Sequence, residues 1–191
     1  MPSQTIILVG LGNPGAQYNY TRHNVGFLAI DEIAKHYNAG SFSIKFKSQY
    51  TQLSLNKYKI ILIKPLTYMN NSGIALIQIL NFFKLDLRNV IVIHDDIDLQ
   101  FLHLKYKISG GSGGHNGLKS IDQHCGINYG RLRIGVGRPE YKDEVSSYVL
   151  HKFNNNELDK LLQLLHQIAL NINFLLDKST NIFINKINNN K

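Results

Sequence analysis

The 191-residue chain is 43% hydrophobic, 18% charged and 10% aromatic, a balance that excludes a disordered or fibrous protein and predicts one globular domain across residues 1–191. Lys and Arg number 21 against 13 Asp and Glu, and the resulting net charge of +8 favours a polyanionic partner. The lone cysteine, Cys125, excludes an internal disulfide and a cysteine-based zinc framework, so a cytoplasmic protein is expected. Ile6-Ile7-Leu8-Val9 is too short for a signal-peptide core, and no run approaches the roughly 18 apolar residues of a membrane span, so neither export nor membrane insertion is expected.

Residues 5–11 read as a buried strand, a β-branched and aliphatic run that stops at the turn cluster Gly12-Asn13-Pro14-Gly15. Across residues 22–37, Val25, Leu28, Ala29 and Ile33 recur at spacings of three and four with Gly40 just beyond, which predicts an amphipathic helix. Residues 50–55 and 58–64 flank Asn56-Lys57 and read as a hairpin, although Asn-Lys is a poorer turn pair than Asn-Gly. Ser72 is the expected N-cap of a second helix carrying Ile74, Ile77, Leu80 and Phe83. Residues 90–93 form a second apolar strand that ends in His94-Asp95-Asp96, the position where open α/β sheets build their sites.

After Lys105-Tyr106-Lys107-Ile108 comes the glycine-rich loop Gly110-Gly111-Ser112-Gly113-Gly114-His115-Asn116-Gly117 and then a short helix. Residues 131–136 alternate Arg131 and Arg133 with Leu132, Ile134 and Val136, which predicts a paired basic edge opposite the core. Residues 157–176 read as a long amphipathic helix through Leu161, Leu165, Ile168 and Ile172, and the tail 181–191 is rich in Asn and Lys. Strands alternating with helices, with no repeat or linker, predict an α/β fold: a mixed, mostly parallel twisted sheet flanked by helices.

Gly10-Leu11-Gly12-Asn13-Pro14-Gly15 matches the G-x-G-x-x-G spacing of a dinucleotide site, but the context fails. Pro14, Gly15 and Tyr18-Asn19-Tyr20 delay the helix, and Asp31 and Glu32 fall inside it instead of ending a second strand. The second glycine loop is not a Walker A loop, because Leu118 separates Gly117 from Lys119-Ser120. What remains is a constellation of His23, Asn13, Asn70 and Asn116 with Asp95 or Asp96. Histidine is the side chain best suited to take a proton from water near neutral pH, and a carboxylate that fixes its tautomer improves it as a base. Asn amides bind an amide or a ribose hydroxyl, or polarise a carbonyl, without adding charge. Cys125 has no adjacent group that marks it as a nucleophile, Asp98 reads as a turn residue, and Met69 as a wall.

These blocks, together with Thr21-Arg22-His23-Asn24-Val25-Gly26-Phe27, Thr67-Tyr68-Met69-Asn70, residues 113–120 (GGHNGLKS) and residues 131–139 (RLRIGVGRP), strongly resemble bacterial-type peptidyl-tRNA hydrolases over nearly the whole chain. The resemblance implies a monomeric, cytoplasmic, cofactor-free and metal-free α/β enzyme that cleaves the ester between a peptide and the terminal ribose of tRNA, recycling tRNA from abandoned translation. It further implies that His23 is the general base and Asp95 its carboxylate, with Asp96 in support. Asn13 would engage the peptide and separate N-blocked from free aminoacyl groups. By the same resemblance Asn70 and Asn116 bind substrate and position water, while Tyr18 and Tyr68 line the acceptor-end side; Tyr68 stands where many relatives carry Phe. Asn24 and His115 read equally as loop organisers or substrate contacts. Lys105, Lys107, Arg131 and Arg133 offer phosphate contacts, which give affinity without base readout. Two rivals remain on the residues alone: a metal-dependent hydrolase using His94, Asp95, Asp96 and Asp98, and a basic RNA-binding module without catalysis.

Overall fold

The computed structural model describes residues 4–189; residues 1–3 and residues 190–191, at the end of the Asn- and Lys-rich tail, lie outside the described residues. The strands are β1 (Gln4–Gly10), β2 (Ser43–Lys45), β3 (Ser48–Leu55), β4 (Tyr58–Pro65), β5 (Val90–Asp96), β6 (Leu104–Ile108) and β7 (Gly130–Gly135). The helices are α1 (Val25–His36), α2 (Ser72–Phe83), α3 (Asn116–Cys125), α4 (Val145–Leu150), α5 (Asn155–Leu176) and α6 (Thr180–Asn188). All strands join one sheet in the order β2-β3-β4-β1-β5-β7-β6. Its centre, β4-β1-β5-β7, is parallel, and β2, β3 and β6 add antiparallel margins. The expected mixed α/β sheet is therefore present, and among the described residues no helix is long and apolar enough to cross a membrane.

β1 reads as an unbroken apolar run because both of its faces are covered. Ile6 and Leu8 pack with Ile30, Ile33, Leu165 and Ile168 from α1 and α5. Ile7 and Val9 pack with Leu76, Ile79, Leu118 and Ile121 from α2 and α3. Each such aliphatic side chain contributes roughly 1.5–3 kcal/mol by leaving water, so the two-sided core holds the carboxyl ends of β1 and β5 side by side. Leu11 N–H continues the ladder by donating to Ile93 O at 3.0 Å.

Several expectations are corrected. Ser72 is the first helical residue of α2, not its N-cap, and its hydroxyl donates back to Met69 O. Ala75, Leu76, Ile79 and Leu80 are the buried apolar positions of that helix, so of the expected set Leu80 is buried while Ile74 and Ile77 are half-buried. So apolar a helix has no decisive stripe, and contact with α3, including Gly73 N–H to Ser120 Oγ at 3.0 Å, sets its rotation. Arg131 and Arg133 do share a face, but β7 lies between β5 and β6 and is not an edge. Arg131 is fully buried, donating to Gly111 O and Asp122 Oδ1, and is unavailable to phosphate. Within the tail, for which composition alone named no element, residues Thr180–Asn188 form α6, which buries Phe183 and Ile187 and pairs both amide atoms of Asn188 with the backbone of Leu104 on edge strand β6.

One close approach governs how α1 enters. A Cβ on Gly26 would lie 2.4 Å from Ile93 O and from Leu11 N, and a Cβ on Gly10 would lie 2.1 Å from Gly26 O. Backbone therefore meets backbone where α1 crosses β1 and β5, and no side chain fits. Gly26→Ala is expected to cost about 3 kcal/mol by overpacking, which in a chain of this size lowers Tm by roughly 6–12 °C; an unchanged melting curve would contradict the contact.

Candidate active site

The site lies at the carboxyl ends of β1 and β5, where the crossover helices α1 and α2 cover opposite faces of the sheet. Before α1, the residues Arg22–Asn24 form a single 3-10 turn, and the glycine crossing behind it brings His23 over the end of β5. On β5, Ile91, Ile93 and Asp95 share the α1 side, whereas His94 and Asp96 point to the other. This alternation resolves which carboxylate meets the histidine. His23 Nδ1 lies 2.9 Å from Asp95 Oδ2 and 3.0 Å from Oδ1. Asp96 instead accepts from Arg133 Nε at 2.6 Å and from the Asp98 amide, which makes it part of a turn.

Asp95 is buried and has a second imidazole partner, His115 Nε2, at 2.9 Å from Oδ1. Burial opposes its ionisation, but the charges and hydrogen bonds of His23 and His115 prevail and hold the carboxyl well below the usual range. An ionised carboxylate only accepts, so His23 carries its proton on Nδ1 and leaves Nε2 as the basic atom. Burial works against protonation of His23 too, yet the charge and hydrogen bond of Asp95 raise its pKa above 6.5. His115 is fixed differently: its Nδ1 accepts from Gly117 N–H at 3.1 Å and Leu118 N–H at 3.4 Å at the start of α3. Both of its ring nitrogens are thus engaged.

His94 donates Nδ1–H to Asp95 O at 2.7 Å, and burial pushes its pKa down to about 3, so it is neutral. The four-residue metal set weighed on sequence does not converge, because Asp96 pairs with Arg133 and Asp98 with Arg138. Among the described residues, His23, Asp95 and His115 do bring ligand-type atoms within 4.8 Å of one another. They fit an ion poorly. The helix amides at His115 Nδ1 force the proton onto Nε2, and a metal there would turn Nδ1–H against the Gly117 N–H.

Around this centre a cleft of about 630 Å³ is lined by His23, Asp95, Asn13, Asn70 and Asn116, with Tyr68, Lys107 and Arg133 also on its walls. Asn13 is held from both sides. Its Oδ1 accepts Met69 N–H at 2.8 Å, and Asn24 clamps its backbone by accepting from Asn13 N–H and donating to Asn13 O. Asn24 is therefore a loop organiser, buried behind the site. Met69 is a buried wall beside Gly117. Tyr68 is 54% exposed and sits at φ 57 and ψ 159, a conformation that costs a non-glycine residue on the order of 1–3 kcal/mol.

Tyr18 and Lys105 are not among the lining residues, although Tyr18 packs edge-on against Tyr68 with ring centroids 6.4 Å apart. Lys105 is exposed and paired in register with Arg133. Sequence reasoning missed His94 as a neutral support and the cleft wall formed by Val145, Ser146, Val149 and Leu150 around α4. No local pattern announces that wall, because its residues face the site only through tertiary packing. Cys125 lies outside the cleft lining, and burial raises its thiol pKa to about 11, which removes it as a nucleophile. Asn24→Ala leaves the buried N–H and C=O of Asn13 without partners and is expected to lower stability by about 2 kcal/mol; an unmoved urea midpoint would refute the clamp.

Residues 7–191 match the family model described as peptidyl-tRNA hydrolase. The peptidyl-tRNA hydrolase of Rickettsia felis is 48% identical over 184 residues, covering 95% of this chain and 99% of the relative. That of Wolbachia pipientis wMel is 50% identical over 181 residues, covering 95% and 98%. The crystal structure of the Acinetobacter baumannii peptidyl-tRNA hydrolase is 33% identical with a TM-score of 0.89, covering 96% of this chain and 94% of that one.

Proposed function

The chain belongs to the peptidyl-tRNA hydrolase family and hydrolyses the ester of peptidyl-tRNA, and from that premise we propose that His23 is the general base and that no covalent enzyme intermediate forms. The observation that carries this reading is the 2.9 Å contact between His23 Nδ1 and the buried Asp95 carboxylate on the floor of the cleft. Of the two histidines on Asp95, His23 has Nε2 available, while His115 spends its second nitrogen on the α3 amides. His23 Nε2 takes a proton from water as the water oxygen bonds to the ester carbonyl carbon. The negative charge moves to the carbonyl oxygen, where amide donors each contribute roughly 2.7–4 kcal/mol. Collapse breaks the bond to the ribose oxygen, and the imidazolium returns the proton to that leaving oxygen. Asp95 remains ionised throughout and stabilises the imidazolium.

Asn13, presented by its clamped loop, engages the peptide, while Asn70 and Asn116 bind substrate and position the water. Tyr68, with Tyr18 at its edge, offers a ring to the acceptor end. Lys105, Lys107 and Arg133 contact tRNA phosphates. A monomer acting in the cytoplasm as one domain, without metal or cofactor, completes the proposal. The metal-free part of it is supported by the ion pairs that occupy Asp96 and Asp98.

His23→Ala is expected to lower kcat on an N-acylated aminoacyl-tRNA by roughly 10²–10⁴-fold while tRNA binding persists. Because the base must be neutral and its pKa in the free protein is raised, wild-type kcat/KM is expected to fall as pH drops through a value above 6.5. In Asp95→Asn burial remains but the negative charge is gone, so the acid limb should move to lower pH; a limb that stays put removes Asp95 from the mechanism. For tRNA contact the clean test is Lys105→Ala with Lys107→Ala, since removing Arg133 would also strand Asp96. The plot of log affinity against log salt is expected to flatten by about one to two. An unaltered slope places the phosphates elsewhere.

A further inference from the structure

Arg22 lies next to His23 in the same turn, yet its partners come from the far end of the chain. Its buried guanidinium donates through Nη2 to both carboxylate oxygens of Glu157, at 2.9 and 3.0 Å, and through Nη1 to Lys152 O at 3.0 Å. It also lies 4.4 Å from the ring centroid of Tyr148 on α4 and 5.1 Å from that of Phe153. The backbone follows the same line. Arg22 N–H donates to His151 O, Phe153 N–H donates to Tyr20 O, and Thr21 forms a bridge with Lys152. Glu157 in turn closes the N-terminus of α5 in a capping box with Asn154.

One cation thus joins the turn that presents His23, the helix that walls the cleft, and the first turn of α5. A buried ion pair is a weak source of net stability compared with apolar packing of the same volume. Its several fixed partners, by contrast, set direction and distance: Nη2 on both oxygens of Glu157, Nη1 on Lys152 O, and the Tyr148 and Phe153 rings against the guanidinium. We propose that Arg22 is a positioning residue for the hydrolysis: it couples the His23 turn to the α4 wall, so that base and wall are set as one body. The proposal rests on the assignment of His23 as the base.

The test compares kcat, KM and deacylated-tRNA affinity for Arg22→Met, Glu157→Gln and His23→Ala, with folding followed by thermal melts. Arg22→Met keeps the apolar stem and loses the fork. It is expected to reduce kcat by roughly 10–100-fold, the scale on which ångström misplacement acts, with tRNA affinity retained because Lys105 and Lys107 are untouched. A folded Arg22→Met with wild-type kcat overturns the coupling, as does a loss of kcat matched by an equal loss of tRNA affinity. Should Arg22→Met not fold, the near-isosteric Glu157→Gln decides: a lowered kcat supports the coupling and an unchanged one overturns it. An inactive His23→Ala beside an unimpaired Arg22→Met removes this inference alone, whereas an active His23→Ala removes the assignment beneath it.

Discussion

A carboxylate placed out of water at the end of a central strand constrains everything around it. Desolvating Asp95 costs several kcal/mol, and the cost is met only if its oxygens are donated to with good geometry. Two imidazole N–H groups meet it, from the turn before α1 and from the loop before α3, while His94 holds the strand's own carbonyl. Those donors dictate the tautomers of both rings. The His23 ring must turn Nδ1 inward and Nε2 outward, and the His115 ring, its other nitrogen taken by helix amides, cannot act as a rival base. The chemistry of the floor is thus a consequence of satisfying one buried charge.

Meeting that demand requires three separate chain segments to arrive within ångströms of one another, and the fold supplies the tolerances. Apolar side chains on both faces fix the ends of β1 and β5, and the glycine crossing admits α1 to backbone distance from both strands. Asn24 then ties the Asn13 loop to the His23 turn, and Asn13 Oδ1 fastens the segment carrying Tyr68 and Met69. That segment holds Tyr68 in a backbone region costly for any side chain. Strain of this kind persists only where the surroundings over-determine the conformation, here a buried hydrogen bond to the next residue's amide.

What could be read from the residues alone follows from how local the determining physics is. β1, β5, α1 and α5 were legible because burial on two faces, or on one helical stripe, leaves a period in the apolar positions. The β2–β3 turn was not, because Phe46 and Lys47 both adopt positive φ without Gly or Asn to announce it. α6 was hidden by its Asn content, since only Phe183 and Ile187 mark its buried side. Arg131 misled for a different reason: alternation correctly gave its face, but nothing local reveals that Gly111, Asp122 and the ring of Tyr129 wait to enclose it. At the site, the types and order of His23, Asp95, Asn13, Asn70 and Asn116 were readable. The choice of Asp95 over Asp96, and the double engagement of His115, depend on which side of β5 each neighbour occupies.

On the proposed mechanism, the distribution of positive charge lets a tRNA-binding surface and the His23 base share one cleft. A bare guanidinium near His23 would oppose its imidazolium and depress its pKa, countering what Asp95 provides. Each arginine close to the cleft is instead matched with a carboxylate: Arg22 with Glu157, Arg133 with Asp96, Arg138 with Asp98 and Arg131 with Asp122. Among the described residues Lys105 and Lys107 form no such pair, and they sit on β6, at the margin of the sheet, two strands removed from β5. In the proposed function attraction of the polyanion falls to these two lysines, and screening by water and salt weakens their reach toward His23. The asparagine amides that line the cleft carry no charge, so the proton affinity of His23 is set by burial, which lowers it, against Asp95, which raises it.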